Sequence, residues 1–79
     1  MKATVLVRPK QGILDPQGEA VENALGHLGF SVTSARVGKV VDLEVDAADA
    51  DAARAQVEQM CEQLLANSLI ESYEVEIHG

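Results

Sequence analysis

The chain has 79 residues, 47% of them hydrophobic and 24% charged, and carries a net charge of −7. That is one domain with a small core, too apolar to be disordered, and no apolar run approaches the ~18 residues of a membrane span. The acidic balance argues against nucleic-acid binding, which needs clustered cations, and with only Phe30 and Tyr73 aromatic there is no platform for stacking bases.

The first element is a strand over residues 3–8. Ala3, Val5 and Val7 alternate with Thr4, Leu6 and Arg8, and Pro9 ends the run because it has no N–H for a ladder. Residues 10–14 read as a loop. A helix then starts at Asp15-Pro16: the aspartate caps free N–H groups and proline suits the first helical position. Ala20, Val21, Ala24, Leu25 and Leu28 form its apolar stripe, and Gly29 stops it. Gly18 and Gly26 weaken this helix by ~1 kcal/mol each relative to alanine, so each calls for a packing or functional reason.

The spacing predicts a second strand over Phe30–Val37, joined through Gly38-Lys39 to a third over Val40–Val45, as a hairpin with a type II′ turn. Asp49 is the expected cap of a second helix that runs to about Ala66. Ala50, Ala53, Val57, Met60, Cys61 and Leu64 form its buried stripe. Asn67 is expected as a left-handed residue after it. A last strand alternates Tyr73, Val75 and Ile77 with Glu74 and Glu76. The order β-α-β-β-α-β is the ferredoxin-like pattern. It predicts an α+β two-layer sandwich, an antiparallel sheet with two helices on one face. The other face, partly polar but including Leu6 and Val40, is left open as a contact surface.

In that topology the end of the first strand, the start of the first helix, the turn after the second strand and the end of the second helix converge on one edge. Residues 1–41 hold five cations against three carboxylates, a sum of +2; residues 42–79 hold Arg54 against ten carboxylates, a sum of −9. Arg8, Lys10, Arg36 and Lys39 fall at or near the shared edge. The candidate interface residues are therefore Lys10, Asp15, Pro16, Gln17, Gly18, Arg36, Gly38 and Lys39.

Catalytic groupings are lacking. Cys61 falls in an apolar helix stripe beside Glu58 and Glu62, where no cation lowers its pKa, and reads as a buried structural thiol. His27 and His78 lie on distant elements, and no Cys or His pair has metal-ligand spacing. Glu74 and Glu76 share a strand face and read as solvated. There is no Walker sequence and no G-x-G-x-x-G. The helix start at residues 15–18 suits an anion, but Asp15 already supplies a negative cap. A single cysteine excludes an intrachain disulfide and makes the cytoplasm the expected setting. The apolar stretch after Met1 is too short for a signal peptide.

The segment Pro9-Lys10-x-Gly12-Ile13-Leu14-Asp15-Pro16-Gln17-Gly18 resembles the signature of the PurS family, the small subunit of bacterial phosphoribosylformylglycinamidine synthase. Ala24-Leu25-x-x-Leu28-Gly29-Phe30, Arg36-Val37-Gly38-Lys39, and Leu64-Leu65-Ala66-Asn67 with Ile70-Glu71-x-Tyr73 continue the likeness in order. Ser68 departs from it, where proline is more typical. The resemblance implies a non-catalytic subunit in purine biosynthesis, forming a homodimer or homotetramer. It would bridge a glutaminase subunit and a large synthetase subunit and assist ammonia transfer between them. It implies no cofactor on this chain, with ATP and magnesium in the synthetase. The alternative reading is a regulatory domain of the same fold that senses an amino acid at a dimer interface, with Gly12 and Gly18 in its loops.

Overall fold

The computed structural model describes residues 1–78. Its elements are β1 (Lys2–Pro9), α1 (Pro16–His27), β2 (Lys39–Glu44), α2 (Ala50–Met60), a π-helical turn (Cys61–Leu65) and β3 (Glu71–His78). The sheet order is β2-β1-β3. Both neighbours of β1 run antiparallel to it, with Val5 opposite Val41 on one side and Val75 on the other.

The period-two pattern of β1 decides the core. Ala3, Val5 and Val7 are buried and meet Val57, Cys61 and Ala66 from the second helical segment. Val75, Ile77 and Tyr73 pack around this cluster from β3, and Val41 and Leu43 from β2. The expected α+β layering of sheet and helix is therefore present, with α2 seated on β3.

Three expectations change. No strand forms over Phe30–Val37, so there is no hairpin at Gly38-Lys39. Both sides of β1 are taken by β2 and β3, and the stretch before Gly38 is held elsewhere: the Val37 N–H donates to Asp15 Oδ2 at 2.8 Å. Gly38 presses on β1, since a Cβ there would lie 2.2 Å from the Val7 carbonyl oxygen. The second change concerns α1, which does not join α2 on the sheet. Its stripe is largely in solvent: Leu28 is 73% exposed, Val21 is exposed, Leu25 is only half-buried, and the following Phe30 is exposed. The radius of gyration is 15.7 Å and the extents are 50 × 25 × 14 Å, against about 12 Å for a compact chain of this length. A helix with an apolar stripe has been left without a surface to cover.

The third change lies in the second helix. Ala53, Val57 and Cys61 are buried as expected, but Ala50 and Met60 are exposed and Leu64 is 83% exposed. At Leu64 the cause is the π turn, in which Ala66 N–H donates to Cys61 O at 3.0 Å, five residues back. The additional residue rotates the chain, so Leu65 and Ala66 turn inward in place of Leu64. Asn67 is not left-handed either; among the described residues the positive-φ ones are Gly12 and Gly29. The helix ends in extended backbone at Ala66. Asn67 makes an Asx-type turn instead, its Oδ1 accepting from Leu69 N–H at 3.1 Å.

Candidate partner-docking site

The expected convergence of loops at one edge is present, and Asp15 is its hub. As the N-cap of α1 it accepts from Gly18 N–H at Oδ1, 3.0 Å away. Its Oδ2 accepts from Val37 N–H, and Arg36 Nε lies 3.9 Å from the same oxygen. Arg36 Nη2 donates to Lys10 O at 2.7 Å, and Lys10 Nζ donates to Ser68 O at 2.7 Å. Lys10 N–H also donates to Ile70 O at 2.9 Å. One chain of bonds thus ties the loop after β1, the start of α1, the segment before β2 and the loop before β3.

Gly18 has a packing role. It is the one buried residue of α1, and a Cβ there would lie 2.3 Å from Ala35 O and 2.6 Å from Asp15 Oδ2. Pro16 and Gln17 are exposed on the first turn, and Lys39 is exposed at the start of β2. The candidate residues therefore divide by task. Asp15, Gly18, Arg36 and Gly38 shape the edge, Lys10 fastens it, and Pro16, Gln17 and Lys39 face outward.

The sequence reading missed the apolar part of this edge. Ile13, Leu14, Pro16, Val37 and Ile70 line a shallow cleft of about 220 Å³, and Leu69 beside it is 83% exposed. The signal was present as aliphatic pairs, Ile13-Leu14 and Leu69-Ile70, inside segments otherwise read as loops. Rigid loops that hold aliphatic side chains in water suit contact with another protein.

The Val37 hydrogen bond, and next the Gly18 bond, hold the Asp15 carboxyl below the ordinary carboxylate pKa; partial burial opposes them and Arg36 assists them. A depressed pKa means that the stabilisation is present above the unfolded value near 4 and is lost as pH falls through the folded value. Urea denaturation at pH 7 and pH 3 should show Asp15→Asn destabilised at neutral pH and less sensitive to acid than the parent. Equal acid sensitivity in both would remove Asp15 as the hub.

Elsewhere the chemistry is structural. The Tyr73 hydroxyl donates to Glu62 Oε1 at 2.8 Å, and that bond pushes the phenol up to about 12. Burial, then the charges of Glu62 and Glu58, push the Cys61 thiol up, the reverse of an activated nucleophile. Thr4 Oγ1 donates to Asp42 at 3.1 Å and lies 3.1 Å from His78 Nε2. With its one proton given to Asp42, Thr4 faces the imidazole as an acceptor, not as a nucleophile facing a base. Among the described residues no three His, Cys, Asp or Glu side chains could hold a metal, and no helix is long and apolar enough to cross a membrane.

Comparison with known proteins identifies the family. Residues 2–79 match the PurS family, described as phosphoribosylformylglycinamidine (FGAM) synthase. The chain is 42% identical to phosphoribosylformylglycinamidine synthase subunit PurS of Bacillus subtilis, covering 96% of this chain and 90% of that one. It is 36% identical to the PurS subunit of Methanocaldococcus jannaschii, covering 96% and 93%. Among solved structures, PurLQS from Thermotoga maritima contains a chain that matches with a TM-score of 0.86 at 37% identity, covering 95% of this chain and 93% of that one. With family match, relatives and fold in agreement over nearly its whole length, the chain belongs to the PurS family of phosphoribosylformylglycinamidine synthase subunits.

Proposed function

We propose that this chain is a non-catalytic, self-associating subunit of phosphoribosylformylglycinamidine synthase in de novo purine biosynthesis, working in the cytoplasm. The reaction converts formylglycinamide ribonucleotide, glutamine and ATP to formylglycinamidine ribonucleotide, glutamate, ADP and phosphate. In this reading a glutaminase subunit releases ammonia and a synthetase subunit, which holds ATP and magnesium, consumes it. This chain bridges the two and assists the transfer. Free ammonia would otherwise be diluted and protonated; a fixed relation between two sites makes the step effectively intramolecular.

The observation that carries this reading is an apolar surface divided between two places. The stripe of α1 has no seat within the chain. On the core side of the sheet, α2 sits on β3, while Val41 and Leu43 of β2 are only half-buried. A second copy supplies what each lacks, with its α1 covering the β2 side of this sheet. The interaction is reciprocal, as a two-fold dimer requires. The edge built around Asp15 remains outside that contact and is the surface for the other subunits.

The test is sedimentation of the chain alone and with the matching synthetase and glutaminase subunits, ATP and glutamine, with product formation measured in parallel. A dimer or tetramer that co-sediments with both, and that glutamine-dependent synthesis requires, is the expected result. A monomer that ignores both partners would sink the proposal. Within the same assay, Leu14→Asp should weaken assembly at least tenfold while leaving self-association and folding intact, and Lys39→Glu should weaken it at least tenfold while leaving the chain folded. Unchanged assembly in both would move the docking surface away from this edge.

A further inference from the structure

We infer that Arg54 closes the outer edge of β3 against strand pairing with a second copy of this chain. β3 lies at one margin of the sheet and its eight residues run without interruption, which is the form of edge that invites another strand. The register defines which groups it offers. Lys10 N–H donates to Ile70 O, so in the antiparallel alternation the pairs Leu6–Glu74 and Thr4–Glu76 exchange hydrogen bonds with β1. The intervening Val75 then directs both its C=O and its N–H away from the sheet. Arg54, on the second turn of α2, places Nη1 3.1 Å from that carbonyl. It is the one cation in residues 42–79.

The strand's own charges add a second barrier. A two-fold pairing of β3 with itself centred on Val75 would set Glu74 of each strand opposite Glu76 of the other. Like charges directly opposed across strands are unfavourable. The opposite margin of the sheet differs: the outward groups of β2 fall at Val40, Asp42 and Glu44, and among the described residues no side chain is bonded to their backbone. The two sheet edges are thus unequal, with β3 closed and β2 open.

The test compares the full chain with Arg54→Met, Arg54→Lys and the triple variant Arg54→Met/Glu74→Gln/Glu76→Gln. Methionine keeps the helix-forming, aliphatic stem and removes the donor; circular dichroism checks that each variant folds. Sedimentation should give the triple variant about twice the particle mass of the parent, with larger species at higher concentration. Arg54→Met should show a smaller rise, and Arg54→Lys, which keeps a donor, the parent mass. In the triple variant, and not in the parent, the Val75 amide should become protected from hydrogen exchange. A folded triple variant of parental mass would overturn the inference, and so would a larger particle in which the Val75 amide exchanges as before. The comparison is with the parent's own mass, so its outcome is separate from that of the partner-bridging reading.

Discussion

Aspartate at both Val21 and Leu25 should turn the chain into a folded monomer. Both positions lie on the α1 stripe, Val21 is already exposed, and Leu25 is half-buried, so the single chain loses little. A dimer that seats α1 on its partner loses the burial of two aliphatic side chains from each helix. Each is worth roughly 1.5–3 kcal/mol, and 1.4 kcal/mol is tenfold in affinity. With four side chains lost per reciprocal dimer, about 6–12 kcal/mol in all, the dissociation constant should rise by at least about 10,000-fold, before the cost of burying carboxylates is added. Sedimentation across a concentration series measures it, and circular dichroism separates dissociation from unfolding. A variant that self-associates like the parent would mean that α1 faces solvent in the assembly as well, and the pairing would have to be sought at the β2 edge.

Alanine at Gly18 and alanine at Gly26 should act in opposite directions, although both glycines lie in the same helix. At Gly26 a Cβ meets nothing within 4 Å. Alanine there should stabilise by ~0.5–1 kcal/mol through helix propensity. At Gly18 the new Cβ would fall 2.3 Å from Ala35 O and 2.6 Å from Asp15 Oδ2. One of these is backbone and the other is the cap, and neither gives way without loss. Overpacking of this kind costs ~1–3 kcal/mol. At 4–8 °C per kcal/mol for a domain of this size, thermal melts should show Gly18→Ala lower by roughly 4–24 °C and Gly26→Ala higher by a few degrees. A gain at both positions would mean that the segment around Ala35 moves freely and does not brace the edge.

The parts of the fold written in local chemistry were legible from the residues. Asp15 and Asp49 cap where expected, Gly29 takes a positive φ after α1, β1 and β3 follow their alternation, and Cys61 is buried. The parts that were not legible depend on what lies opposite. The stripe on α1 announces a face that needs covering, but a periodic pattern is the same whether the cover comes from this chain or another. The β-branched run before Gly38 has strand propensity without a ladder to join, because β1 is already paired on both sides. The π turn replaces Leu64 by Leu65 and Ala66 through a backbone choice that side-chain spacing does not encode. At the candidate docking edge, charge drew attention to Lys10 and Arg36, which the structure uses internally, and away from Leu14 and Leu69, which it presents to solvent.

The position of β1 has a consequence for the order of events during synthesis. It precedes β2 and β3 in the chain and lies between them in the sheet, and Lys2 pairs with His78. The valines of β1 therefore wait for almost the whole chain to emerge before β3 and the buried side of α2 can cover them. Contacts between such distant residues slow folding, and an uncovered Val5–Val7 stretch is exposed to misassembly meanwhile. A pause in translation before β3 should accordingly do more harm than one after it, and truncating the chain ahead of Glu71 should leave no stable remnant.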